Sequence, residues 1–358
     1  MYMEGGELKN TSIGMFRIAG AYIGTVVGAG FSSGQEILRF FTAHGAMGLW
    51  GIAVATALFF FFGYTALLLG KSLRARSHLE VVRFTNGKIL GGAIDIIITV
   101  FLFGGFGVMI AGAGAVFREQ FGAAPVWGML VMASLSVLTV MTGTKGVVNA
   151  ISAVVPLLIA MLFLIFVTNV SENPLTWEEL EASKSVASAT PDWFLSAVNY
   201  ASYNLVTAIA ILAPLGANAK SKKSLLGGAL LGAAGLGFGI AAINFCLMTN
   251  ITDVAALEVP MIAVAASVSA PVRLLFAVVI FAEIYSTAIG DLYGFSQRMS
   301  FSLPKTLLIT LAAAGAFSAG QLGFSNLVRF LYPAIGYGAL LFFAGAIYVW
   351  IKKRGMFM

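Results

Sequence analysis

Apolar runs dominate this chain, and short polar turns separate them. Ten runs are read as membrane-spanning helices, at about residues 13–42, 47–70, 89–117, 126–141, 147–170, 193–215, 225–248, 272–297, 307–320 and 327–351, the ninth being the shortest. The polar positions inside these runs carry the information. The first run is broken at Gly28-Ala29-Gly30-Phe31-Ser32-Ser33-Gly34-Gln35-Glu36, at the depth where a membrane helix is most apolar. In lipid every backbone N–H and C=O needs a partner, so a helix unwinds there only where it lines a cavity. The unwound backbone then offers free amides and carbonyls to a ligand. Span six holds Asn199, Ser202 and Asn204 between the rings of Tyr200 and Tyr203, and is read as a second interrupted helix. Spans one and six each open a group of five. Five is odd, so the second group runs inverted, and matching interruptions in two inverted halves point to a binding site. For span six the competing reading is plain hydrogen bonding between helices.

Span eight carries a polar stripe. Glu283, Ser286 and Thr287 are spaced i, i+3 and i+4, and Asp291 follows four residues later. Each charge facing lipid would cost roughly 2.5–3.5 kcal/mol, so the stripe faces the bundle interior or water. Its hard oxygen ligands suit a small cation such as Na⁺. A carboxylate in such a cavity is also able to carry a proton, and the competing reading of Ser286 and Thr287 is that their hydroxyls bond back to their own helix. Other ions inside spans are Asp95, Glu36, Arg39 and Arg329. Glu36 and Arg39, three apart, are placed to pair with each other. Arg39 and Arg329 fall toward the outer side, as gate candidates, and Asp95 toward the inner side, for pairing with a cytoplasmic lysine or arginine. Glycines four apart on span seven (Gly228/Gly232, Gly235/Gly239) and the crowd on span three (Gly104, Gly105, Gly107, Gly112, Gly114) predict close helix approach.

Composition agrees with a membrane protein: 59% of the 358 residues are hydrophobic and 10% charged, against about a quarter charged in soluble domains. The net charge of +6 does not point to nucleic acid, because the basic residues lie between spans. Lys71, Arg74, Arg76, Arg83 and Lys88 follow span two. Lys220, Lys222 and Lys223 follow span six, Arg298 and Lys305 flank the turn after span eight, and Lys352, Lys353 and Arg354 follow span ten. With alternating spans these share one side, which puts both termini in the cytoplasm of a bacterial plasma membrane. The start of the chain, with Glu4 and Glu7, has no small-residue cleavage pattern, so no removable leader is expected. Two outer loops are long. Residues 173–192 contain the capping pattern Thr176-Trp177-Glu178-Glu179, which predicts a short surface helix. Residues 253–271 contain an apolar stretch, 259–268, too short to span, which is expected to lie across the outer mouth. Cys246 sits inside an apolar run, as a small core hydrophobe. His44 and His78 stand near span ends with no metal-ligand cluster, so an enzyme is not expected.

At these residues the chain resembles the leucine-transporter fold of the amino acid–polyamine–organocation superfamily, and within it the bacterial permease-like proteins of the YkvI type. Gly24-Thr25-Val26-Val27-Gly28-Ala29-Gly30 with Leu38-Arg39-Phe40 is similar to a run in the sodium-coupled symporters, and Ser286-Thr287-Ala288-Ile289 to their Thr-Ser-Ala-Ile. The resemblance implies an all-α protein of ten helices, a 5+5 inverted repeat (13–170 and 193–351) with helices one and six broken, forming one transporter domain. It implies a Na⁺ site from the carbonyls of Gly24, Val27 and Glu283 and the hydroxyls of Ser286 and Thr287. It implies that Ala29, Gly30, Phe31 and Ser32 bind a substrate carboxylate and that Ser202, Tyr203 and Asn204 line the side-chain pocket. Glu36, Arg39, Asp291 and Arg329 are the gating and coupling residues. Residues inserted before Leu38, among them Gln35 and Glu36, and Glu283 in place of a small residue, depart from the family pattern. The expected function is cation-coupled transport of a small amino acid or zwitterion by alternating access, with Na⁺ first and H⁺ second. A nutrient sensor on the same fold is the alternative.

Overall fold

The computed structural model describes residues 13–143, 154–299 and 304–352. Glu4 and Glu7, the expected start of span five at Val147, and Lys353 and Arg354 lie outside the described residues. The first span is three pieces: α1 (Met15–Val26), α2 (Ala29–Ser32) and α3 (Gln35–Phe40). Val27 and Gly28 are extended, and Val27 N–H to Ile23 O (2.8 Å) is the one backbone bond among the described residues that reaches back into α1 from this break. The second turn falls at Gly34, whose φ of +83° is open to glycine and strained for other residues.

There follow α4 (Ala46–Leu73), α5 (His78–Phe121), α6 (Pro125–Met141), α7 (Val154–Glu172), α8 (Trp177–Ser183), α9 (Trp193–Ala217) and α10 (Lys222–Met248). Then come α11 (Ile251–Val254), α12 (Pro260–Val268), α13 (Ala270–Arg298), α14 (Lys305–Gly320) and α15 (Phe324–Lys352). Six of these, α4, α5, α9, α10, α13 and α15, are long and apolar enough to cross a membrane. Three further apolar helices are shorter: Pro125–Met141, Leu157–Glu172 and Lys305–Gly320. The protein is therefore all-helical and multi-pass.

Three details differ from the sequence reading or sharpen it. Span six is not interrupted: α9 is one continuous helix, with Pro214 in its last turn. Three of its polar side chains donate hydrogen bonds without unwinding, while Asn199 Oδ1 and Tyr200 Oη are buried without a partner among the described residues. Asn199 Nδ2 donates to Pro333 O at 2.9 Å and Ser202 Oγ to Gly336 O at 2.8 Å, both on α15, while Asn204 Nδ2 donates to Tyr200 O within α9 at 3.0 Å. Hydrogen bonding between helices is thus the use of this polar cluster. Span three begins earlier than expected. A helical stretch from His78 precedes a kink at Gly87 (φ +73°), and a Ser77/Glu80 capping box starts it. The outer loops follow expectation. Thr176 and Glu179 cap α8 reciprocally, and α12 occupies the apolar stretch of the second loop.

Small residues set the helix spacing. A methyl group on Gly70 of α4 would overlap the Ala213 carbonyl of α9, and one on Gly216 would overlap the Leu67 carbonyl, so these two helices touch backbone to backbone. On α10, Gly228 faces Ile18 and Gly232 faces Tyr22, which seats α1 in its groove. Tyr22 Oη then donates to Phe59 O on α4 at 2.8 Å. The core of the bundle closes around α2 and α3, where every residue from Ala29 to Leu38 is buried. Cys246 is a buried free thiol on α10.

Candidate functional site

The break in the first span and the polar stripe of α13 lie against each other. A Cβ built on Gly28 would stand 3.7 Å from Thr287 Oγ1. Because so little of the backbone pairs across the break, the carbonyls of Gly24 and Val27 have no backbone donor among the described residues. The two serines of α2 and its turn bond inward: Ser32 Oγ to Gly28 O at 3.0 Å and Ser33 Oγ to Gly30 O at 3.0 Å. On α13, Ser286 Oγ donates to Glu283 O at 3.0 Å, which leaves its lone pairs open to a cation. Thr287 is half-buried, and its hydroxyl has no hydrogen-bond partner among the described residues. Glu283 is 2% exposed, and its Oε2 is buried without a partner. Backbone carbonyls without backbone donors at a helix break, with the Thr287 hydroxyl beside them, are hard oxygen donors that fit Na⁺. Among the described residues no group of three His, Cys, Asp or Glu side chains is arranged to hold a metal.

Glu36 occupies the centre. It does not pair with Arg39 as its spacing suggested. Its carboxylate folds back over Gly30, where a methyl group would overlap it, and its Oε2 accepts from Tyr203 Oη at 2.7 Å. Arg39 points outward instead, donating to Ala187 O at 2.9 Å and to Ser325 Oγ on α15 at 2.7 Å. The i, i+3 spacing failed because α3 presents one side chain to the core and the other to the loop after α8. Asp291 turns toward α5: a Cβ on Gly105 would lie 2.5 Å from its Oδ2. Arg329 stacks over Phe330, 5.1 Å from the ring centre. The hydroxyl of Ser202 is spent on α15, so Tyr203 is the member of the expected 202–204 group that faces α3.

The two ends of the bundle are tied by separate ionic clusters. At one end of α5, Arg298 Nη1 meets Asp95 Oδ1 at 2.5 Å, and His78 Nε2 lies 3.1 Å from the same oxygen. Asp95 thus pairs with a basic side chain, as expected for it. At the other end, Glu119 accepts from the amides of Glu258 (2.6 Å) and Val259 (3.0 Å), and Arg118 pairs with Glu258 at 3.2 Å. Met261 N–H of α12 donates to Ser33 O at 3.0 Å, so this segment rests on the break itself. Glu119 was not singled out from the sequence. It closes α5 far from the loop it holds, and no local pattern marks it.

The relatives of the chain agree with this architecture. The uncharacterized membrane protein YkvI of Bacillus subtilis (strain 168) is 34% identical over 328 residues, 91% of this chain and 93% of its own length. The chain belongs to the YkvI family of membrane proteins. No family model matches the sequence. Among solved structures, the inward-facing conformation of Mhp1 is similar with a TM-score of 0.63 at 14% identity, covering 96% of this chain and 78% of that one. MhsT in complex with L-phenylalanine gives 0.61 at 17% identity, covering 91% and 87%. A substrate-bound, outward-open Na⁺-coupled sialic acid symporter gives 0.60 at 15% identity, covering 96% and 84%. At such identities the likeness shows the fold, which is that of the leucine transporter.

Proposed function

We propose that the chain is a cation-coupled secondary transporter of a small solute bearing an amino group, working by alternating access in a bacterial plasma membrane with both termini cytoplasmic. Ten spans, in two inverted groups of five, complete the reading. The observation that carries it is the unwound backbone at 27–28 facing the Thr287 hydroxyl of α13. The carbonyls of Gly24, Val27 and Glu283 with Ser286 and Thr287 hold the coupling ion, Na⁺ before H⁺. Glu36, Gly30, Phe31 and Tyr203 border the solute beside it. Arg39 and Arg329 belong to the outer gate, and Asp291 couples α13 to α5. Support comes from the carbonyls of Gly24 and Val27, which have no backbone donor among the described residues, and from the fold shared with a Na⁺-coupled symporter and with MhsT, whose ligand is L-phenylalanine.

The test is uptake into proteoliposomes under an imposed Na⁺ gradient or an imposed pH gradient. Gradient-driven accumulation that disappears in the Ser286→Ala/Thr287→Ala double variant is the expected result. Solute binding with no accumulation under either gradient would exclude a transporter.

A further inference from the structure

The core-facing side of α3 holds a carboxylate that has no cationic partner. Glu36 is 6% exposed and joins no ion pair among the described residues. Its neighbours are aromatic. Tyr203 donates to it, and the ring of Tyr332 on α15 lies 5.1 Å from the Tyr203 ring. Phe40 stands 5.7 Å from Tyr203 and 5.4 Å from Tyr200, and Phe101 of α5 stands 5.8 Å from Tyr332. The Tyr200 hydroxyl is buried and has no hydrogen-bond partner among the described residues.

This surround attracts positive charge. A buried carboxylate without a counter-ion is costly, and the faces of aromatic rings are electron-rich. A small inorganic ion needs a shell of hard oxygens, whereas most of this wall is ring carbon. An alkylammonium group satisfies both parts, pairing with the carboxylate and lying against the rings. A substrate carboxylate meets the opposite situation. Glu36 covers Gly30, so an acidic group rather than a cation already stands at the approach to the amides of α2. The buried acids Glu36, Glu283 and Asp291 are accompanied by one basic side chain among the buried described residues, His78, which lies in the cluster with Asp95.

We propose that Glu36 and its aromatic surround form an ammonium site, and that the solute is an organic amine lacking a carboxylate beside its nitrogen. The inference deepens the transporter reading and rests on the central site being the solute site.

The experiment is thermal-shift titration of the purified full chain in NaCl with matched pairs: ethylamine and alanine, isopentylamine and leucine, phenethylamine and phenylalanine. At least one amine stabilises the protein at a concentration about tenfold or more below that of its amino-acid partner. Glu36→Gln loses that response and keeps the Na⁺ shift, which also shows that it folds. Tyr203→Phe, which removes one hydroxyl, weakens the amine response and serves in its place if Glu36→Gln is unstable. No response to any amine, an amino acid that equals or beats its amine, or an unchanged amine response in Glu36→Gln would overturn the proposal. So would a Glu36→Gln protein that copies the effect of low pH with no amine response in the parent, since Glu36 would then carry a proton. Uptake separates the two readings. Amine binding without gradient-driven uptake removes the transporter and keeps the ammonium site. Gradient-driven uptake of an amino acid with no amine binding does the reverse.

Discussion

Ser286 and Thr287 are adjacent but differently engaged. Ser286 already bonds within α13, while Thr287 faces Gly28 with its hydroxyl unspent. Thr287→Ala is therefore expected to remove more of the Na⁺-dependent thermal shift than Ser286→Ala, and equal losses would contradict this division. Gly30 is the other sensitive position. Gly30→Leu drives its side chain into the Glu36 carboxylate and breaks the bond to Tyr203. Solute binding should be lost, together with about 1 kcal/mol of stability for the broken bond, read by calorimetric titration and chemical unfolding. Binding retained in full would remove the break from the pocket. These residues were legible in the sequence because they are anomalies: hydroxyls, glycines and acids where lipid demands carbon. The aromatic wall was not legible. Phe101, Tyr332 and Tyr200 are ordinary membrane residues along the chain, and their common purpose exists only where α5, α9 and α15 meet.

The helix that differed from expectation shows where pattern reading stops. Span six was read as broken from polarity alone, but polarity has two outlets, unwinding or a neighbouring helix. Glycines decide between them: the first span has three in its broken stretch, and residues 193–213 have none. Asn199 and Ser202 found the carbonyls of α15 near Pro333, so α9 stayed helical. Asn199→Leu and Ser202→Ala should each cost about 0.6–1.7 kcal/mol in unfolding from detergent while solute affinity is preserved. A selective loss of affinity would return them to the pocket. The short stretch before Gly87 was missed although Ser77 and Glu80 carry the same capping spacing that revealed α8. It lay inside a basic connection and was read as a turn. At Gly34, alanine must adopt a left-handed backbone beside Met261, so Gly34→Ala should destabilise by about 1–2 kcal/mol.

At the scale of the whole molecule, both ends of the bundle are latched at once. The latch at the end proposed to be outer joins Glu119 and Arg118 to the residues that begin α12, and α12 rests on Ser33. The latch at the end proposed to be inner joins α13 to α5 through Arg298, Asp95 and His78. The proposed alternating access requires each to open in turn. Asp95→Asn weakens the inner latch and should speed maleimide labelling of a cysteine placed at Thr99 several-fold, with the outer side unchanged; an unchanged rate would mean that this cluster is only structural. Spans, their apolar faces and the capped loop helix came directly from hydropathy and spacing. The latches did so only in part: a basic partner was expected for Asp95, but its identity as Arg298 and the whole Glu119 cluster were not, because each joins residues distant in the chain. Cys246, the one thiol in the sequence, lies sealed within α10. The unaltered protein is thus a quiet background for spectroscopic probes. Paired spin labels at positions 39 and 325, or at 95 and 298, would report how far the two mouths separate without first stripping the chain of competing sulfur.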